Sequence, residues 1–262
     1  WTNILKETCD AADITFFTSP YSFELVDLVD EFIPAYKIGS GDVTWIEIIE
    51  YIATKNKPVM LATGASDISD VNRAVNSILN INPNLVLMQC NTNYTAEYKN
   101  FSNLNLNVIT TFQKMYPNII TGLSDHMPGC VAVLGAVSLG ARVIEKHFTD
   151  STKRIGPDHP FSMTPETWSE MVDRTRELES ALGSSQKIIE ENEKETIIVQ
   201  QRSLCVSKSL KKNSIIELED IDVLRPCPED GIRPYELKKV LGKTLKRNLK
   251  IAEYIKWTDL SK

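Results

Sequence analysis

Two stretches decide the fold: Asn118–Ile–Ile–Thr–Gly–Leu–Ser–Asp–His126 and Arg142–Val–Ile–Glu–Lys–His147. Each is an apolar, β-rich run that closes on a histidine. The two histidines stand 21 positions apart, with a helix-like segment, Pro128–Leu139, between them. This pattern reads as consecutive βα units of a parallel barrel, in which side chains at the carboxyl ends of the strands converge on one pocket. The third histidine, His159, follows the rigid turn Gly156–Pro157–Asp158. Imidazoles that meet at strand ends, with Asp158 close by, can hold a divalent metal. Two capped or buried histidines are the plainer alternative.

Working outward, the same alternation fills residues 1–182. β-rich runs stand at Ile14–Pro20, Ala35–Ser40, Pro58–Gly64, Leu85–Cys90, Asn118–His126 and Arg142–Thr149. Helix-like stretches follow them at Ser22–Phe32, Val43–Thr54, Asp67–Leu79, Leu104–Met115, Pro128–Leu139 and Pro165–Leu182. In Trp45–Ile–Glu–Ile–Ile–Glu–Tyr–Ile52 the apolar residues recur at helical spacing, as on the outer layer of a barrel. Strand alternating with helix predicts a parallel sheet with crossover connections. Six units are visible where a closed barrel of this class has eight, and the chain opens inside a helix-like segment, Trp1–Ala12. The expectation is therefore an α/β chain built as a (β/α)8 TIM-type barrel lacking about its first two βα units. An open doubly wound sheet is the rival. Residues 183–201, beginning Gly183–Ser–Ser and continuing through the charge-rich, helix-like Gln186–Thr196, read as a linker. Residues 202–262 change texture to short alternating runs between Lys- and Pro-containing turns, and read as a small β-rich domain.

Bulk properties narrow the function. A chain of 262 residues can bury a large core, and 42% hydrophobic with 24% charged residues is ordinary for a globular protein. The net charge of −6 argues against a nucleic-acid surface. No apolar stretch reaches the roughly 18–20 residues that span a bilayer, so no membrane partner is expected. The five cysteines are scattered and carry no paired metal spacing, which fits reduced thiols in a cytoplasm.

The strand ends carry the chemistry. Lys37–Ile–Gly–Ser–Gly–Asp42 offers an ammonium, the Ser40 hydroxyl and accessible backbone amides, a cradle for phosphate or carboxylate, or else an ordinary turn. Leu61–Ala–Thr–Gly64 offers Thr63. Gln89–Cys–Asn–Thr–Asn–Tyr94 offers neutral hydrogen-bonding groups, or plain loop polarity. Gly122–Leu–Ser–Asp–His126 adds Ser124 and Asp125; Asp125 reads as a metal ligand or as an orienting partner of an imidazole. Five strand ends equipped at the same level carry more weight than any one of them.

Taken in order, Lys-Ile-Gly-Ser-Gly-Asp, Ala-Thr-Gly, Gln-Cys-Asn-Thr-Asn-Tyr, Gly-Leu-Ser-Asp-His, Glu-Lys-His-Phe-Thr and Gly-Pro-Asp-His resemble the bacterial sialic acid synthase family, whose best-known members are N-acetylneuraminate synthases. Arg225–Pro226, Asp230–Gly231 and Leu241–Gly–Lys243 resemble that family's C-terminal domain, which is similar to type III antifreeze protein and is called SAF. The resemblance implies a barrel that condenses phosphoenolpyruvate with N-acetylmannosamine or a related N-acylated amino sugar. It implies Mn²⁺ (or Mg²⁺) on His126 and His147. It places Lys37, Ser40 and Ser124 on phosphoenolpyruvate, Asp42 near the reacting carbons, Thr92 and Tyr94 facing the ligands, and Asp158 on the sugar. It brings Arg225 from the small domain into a partner subunit's site, in a domain-swapped homodimer. A sister synthase for legionaminate or pseudaminate, and a non-catalytic sugar- or anion-binding remnant, are the alternatives. Two departures stand out. Ala62 occupies the place of a phosphate-binding serine, with Thr63 beside it as the compensating hydroxyl. The family's first two strands, which supply an acidic residue and a lysine, have no counterpart.

Overall fold

The computed structural model describes residues 1–261. The chain divides into two compact units, Trp1–Gly183 and a second that begins at Ser184.

The first unit is a curled sheet of five parallel strands: β1 (Tyr36–Ile38), β2 (Val59–Ala62), β3 (Leu85–Cys90), β4 (Ile120–Asp125) and β5 (Val143–Lys146). Each strand pairs with its neighbour in chain order. A doubly wound sheet would reverse its order partway along, so the sequential order excludes that rival and leaves a partial barrel. The helices are α1 (Thr2–Ala11), α2 (Phe23–Asp30), α3 (Ile46–Ala53), α4 (Ile68–Leu79), α5 (Phe101–Leu104), α6 (Val108–Met115), α7 (Val131–Ser138) and α8 (Pro165–Leu182). Three sequence expectations need correction. The run Ile14–Pro20 forms no strand but a single parallel bridge, Thr18 to Tyr36. The expected helix Leu104–Met115 is broken because Asn105 takes a left-handed conformation, φ 50°, which ends α5 before α6 begins. The expected helix Gln186–Thr196 starts later, as α9 (Lys194–Gln200) after a short 3₁₀ turn.

Alternation along the strands sorts the side chains into two sets. Tyr36 and Ile38, Val59 and Leu61, and Leu85 and Leu87 are buried against the apolar stripes of α2, α3 and α4, notably Val29, Ile48, Ile49, Ile52, Val75 and Ile78. Their neighbours Lys37, Ala62, Met88 and Cys90 therefore face the concave side. Beyond β3, a second cluster of Leu123, Met127, Ala132, Ala136 and Ile144 joins β4 and β5 to α7. The helix ends are capped as sequence chemistry requires: Asp67 accepts from the amides of Ser69 and Asp70, and Thr164 closes a capping box with Thr167 ahead of Pro165.

The second unit has its own core of Leu204, Val206, Ile216, Ile232, Val240, Leu245 and Ile255. An antiparallel pair, β6 (Ser203–Val206) with β7 (Ile221–Leu224), is extended by single bridges such as Leu210 to Leu249 and Leu245 to Leu260, and α10 (Leu237–Val240) packs beside it. Arg247 ties the C-terminal turn with two bonds to Asp259, 2.6 and 3.1 Å, and one of 2.6 Å to Glu253. No helix among the described residues is long and apolar enough to cross a membrane.

Gly64, at the end of β2, shows how tightly the strand-end loops meet. A Cβ there would lie 1.8 Å from Thr92 Oγ1 and 3.0 Å from both Cys90 Sγ and Ser40 Oγ. Gly64→Ala is expected to destabilise the protein by about 1–3 kcal/mol through overpacking, as read by urea unfolding. Thr92→Gly in the same chain is expected to recover part of that loss; strictly additive effects would show that the two loops do not meet.

Candidate functional site

A cavity of about 350 Å³ opens at the carboxyl ends of the strands. Its wall runs from Ser19 and Tyr21 ahead of β1, through Lys37, Ser40 and Ala62, to Ser124, His126, Glu145 and His147, with Tyr94 at the rim. Backbone register explains the level. Cys90 on β3 stands opposite Ser124 on β4, and Ser124 opposite Glu145 on β5, so three inward residues form one row. Two residues further along, the same alternation puts His126 and His147 side by side, ring centroids 5.1 Å apart. A larger hollow of about 510 Å³ is lined by residues such as Lys6, Asp13, Glu31 and Pro34, which precede β1 in the chain. It lies at the opposite end of the strands, where barrels carry stability rather than chemistry.

The histidines are held in place. His126 Nδ1 lies 3.1 Å from the Asn91 carbonyl, which can only accept, so Nδ1 carries the proton and Nε2 keeps the lone pair. His147 Nδ1 lies 3.5 Å from Asp158 Oδ2. The rings of Tyr94 and Phe161 pack against both imidazoles at 4.5–6.0 Å between centroids. Burial, with the nearby His126, holds His147 below the ordinary histidine range and so favours the neutral form. Burial works against protonation of His126 too, but its contacts with the Cys90 thiol and the Asn91 carbonyl outweigh it and lift the imidazole above that range. For Cys90 the cost of burial is likewise outweighed, by bonds to His126, Thr92 and Ser40, which lower the thiol.

Lys37 is buried, donates to the Ile38 carbonyl at 3.1 Å and approaches Glu145 Oε2 to 3.3 Å. That contact joins the first and last strands of the sheet across its concave face. It is an ion pair without hydrogen-bond geometry, and Glu145 Oε2 is left as a buried oxygen with no hydrogen-bond partner among the described residues. Asp42, in the short turn after β1, is raised above the ordinary carboxyl range by burial, against the pull of Lys37.

The donor set fits a divalent metal. Two imidazoles side by side in one cavity suit a hard or borderline cation whose remaining positions are completed by water or substrate. Among the described residues no group of three or more His, Cys, Asp or Glu is placed to hold a metal ion, so the two imidazoles are what the protein itself would contribute.

Several expected residues stand elsewhere. Thr63 faces the helix layer because Ala62 takes the inward position; its hydroxyl donates to the Met88 carbonyl, and it lines a separate hollow with Gln89 and Asn91. It cannot stand in for a serine at position 62. Asp125 bonds directly to neither imidazole: Lys146 Nζ and the Met127 amide occupy its carboxylate at 2.7 and 2.8 Å. Ser40 lines the cavity but already accepts from the Gly64 amide at 2.9 Å. Thr92 is exposed, with its hydroxyl 3.6 Å from Cys90 Sγ. Asp42 and Thr92 are not among the cavity wall residues. Arg225 is exposed on the second unit. His159 is bonded to Thr149 at 2.7 Å rather than to the cavity. Sequence reasoning missed Glu145, although it shares the inward face of its strand with His147, two positions later.

The sequence pattern of the NeuB family matches residues 1–187, and that of the SAF domain residues 201–261. The N,N'-diacetyllegionaminic acid synthase of Legionella pneumophila subsp. pneumophila is 32% identical, over 98% of this chain and 72% of its own length. The pseudaminic acid synthase of Campylobacter jejuni subsp. jejuni is 31% identical, over 99% of this chain and 74% of its own. The crystal structure of N-acetylneuraminic acid (sialic acid) synthetase from Leptospira borgpetersenii serovar Hardjo-bovis superposes with a TM-score of 0.68 at 28% identity, covering 74% of this chain and 67% of that one. With the family pattern over residues 1–187 and the SAF pattern after it, the chain belongs to the NeuB family.

Proposed function

We propose that the protein condenses phosphoenolpyruvate with an N-acylated amino sugar to give a nonulosonate and inorganic phosphate. The observation that carries this reading is the meeting of one buried ammonium, Lys37, with two oriented imidazoles, His126 and His147, in a single cavity. The named relatives, which make sialic, legionaminic and pseudaminic acids, support the substrate class. N-Acetylmannosamine is the proposed sugar, and the precursors of legionaminate or pseudaminate are the alternatives.

In this reading Lys37 binds the phosphate and carboxylate of phosphoenolpyruvate in a setting where a charge-assisted contact is strong. The Ser124 and Ser40 hydroxyls orient the same anion. His126 and His147 would hold Mn²⁺ or Mg²⁺, which supplies Lewis-acid polarisation of the open-chain sugar aldehyde when bound. C3 of phosphoenolpyruvate then bonds to the aldehyde carbon, water adds at C2, and phosphate departs from C2. Asp42 keeps its proton to higher pH than a free carboxyl, as suits a group that exchanges protons near the reacting carbons. Tyr94, at the rim, and Asp158, beside His147, face the sugar. The five free cysteines suit a reducing compartment, so a cytoplasmic enzyme is part of the same proposal.

Lys37→Met is expected to raise KM for phosphoenolpyruvate roughly ten- to hundredfold, the loss of a charge-assisted contact of about 1.5–3 kcal/mol, while KM for the sugar stays near its original value. An unchanged KM for phosphoenolpyruvate in initial-rate kinetics would remove Lys37 from that role.

The active form is proposed to be a domain-swapped homodimer in which Arg225 of one chain reaches the partner's sugar, its guanidinium bonding to acyl or hydroxyl oxygens. Arg225→Ala and His126→Ala chains should each be inactive alone. Subunit exchange between them should restore activity, since mixed dimers contain one site with both groups. No recovery despite demonstrated exchange would refute the swap.

A further inference from the structure

We infer that the buried Asp125–Lys146 pair is the positioning device that sets the gap between His126 and His147; the inference rests on the proposed metal reading. The pair sits one residue before each histidine; both residues border the cavity, but strand alternation turns their side chains the other way, beside the cluster that contains Leu123, Met127 and Ile144. Its side chains are 0% and 1% exposed. Asp125 opposite Lys146 is the last register pair between β4 and β5, so the ladder gives out where the imidazoles emerge. From there on, side chains do the tying. Lys146 Nζ donates to Asp125 Oδ2 and to the Met127 carbonyl, both at 2.7 Å, and the Met127 amide donates to Asp125 Oδ1 at 2.8 Å. The residues on either side of His126 are thereby gripped by the immediate neighbour of His147. His126 becomes the apex of a closed turn, and its ring is then fixed by the Asn91 carbonyl.

Stability alone is a poor account of such a pair. Two charges taken wholly out of water recover about what they lose in desolvation, and well-packed apolar residues often serve the core as well. What apolar residues cannot provide is direction. Three bonds of defined geometry fix where the two imidazoles stand, and groups behind metal ligands commonly matter 10–100-fold to metal affinity.

The test is Mn²⁺ affinity, from the electron paramagnetic resonance signal of free Mn²⁺, measured alongside melting temperature and near-ultraviolet circular dichroism without metal. Asp125→Asn and Lys146→Met are expected to fold and to bind Mn²⁺ roughly 10–100-fold more weakly, while Lys146→Arg, which keeps a cation and its donors, recovers most of that loss. Ile49→Val, in the core on the helix side of the sheet, should lower the melting temperature and leave Mn²⁺ affinity unchanged. If Asp125→Asn or Lys146→Met does not fold, Asp125→Glu replaces it, since it keeps the charge and shifts the carboxylate by one methylene. Folded variants that bind Mn²⁺ as the wild type does, or weakening that simply follows melting temperature in Ile49→Val as well, would overturn the inference. A wild-type protein that binds no Mn²⁺ would instead overturn the metal reading, and this inference with it, whatever the variants do.

Discussion

The pleat of five parallel strands sets what the cavity contains. Their common direction brings five carboxyl ends to one level, and their period of two admits only every second residue of each end to the concave side. Lys37, Ala62, Met88, Cys90, Ser124, His126, Glu145 and His147 are among the residues admitted. Their neighbours are committed to the helix layer, where Tyr36, Leu61 and Leu87 are apolar and Asp125 with Lys146 is a closed ion pair. The curl of the sheet then draws β1 and β5 close enough for Lys37 to approach Glu145 across the cavity. A cation, a carboxylate and two imidazoles are thus presented together by strands far apart in sequence.

Most of this is legible in the amino-acid sequence alone. The helices α3, α4 and α8 announce themselves by apolar spacing, the latter two with Asp67 and Thr164 as caps, and the histidine-terminated runs give β4 and β5 and their shared level. What sequence pattern conveys poorly is which face a residue takes. Thr63 reads as a replacement for a serine at position 62, yet a one-residue offset on a strand reverses the face. Asp125, beside His126, reads as a metal ligand or as an orienting partner of an imidazole, and adjacency on a strand again turns its carboxylate to the opposite side, away from direct ligation. Glu145 is the converse case: two positions before His147, it shares the inward face, and alternation alone suffices to find it. The break at Asn105 and the reduction of Ile14–Pro20 to one bridge lie beyond periodicity, since a left-handed residue and the absence of further pairing leave little trace in apolar spacing.

The second unit answers to different physics. It is a small β-rich body closed by isolated bridges, with a continuous apolar core and the Arg247 cluster fastening its C-terminal turn. Self-sufficiency of this kind lets a domain be presented to another subunit without its own barrel's support, as the proposed swap requires. Arg225, exposed beside β7, needs no rearrangement of that core to be presented.

The central claim is that His126, His147 and Lys37 form one ligand site. Anomalous diffraction at the manganese edge, from crystals grown with Mn²⁺ and phosphoenolpyruvate, tests it most directly. The expected result is a manganese peak between the two imidazoles and the phosphoenolpyruvate anion against Lys37 in the same cavity. Manganese bound elsewhere, or phosphoenolpyruvate held away from Lys37 while the cavity contains only solvent, would contradict it.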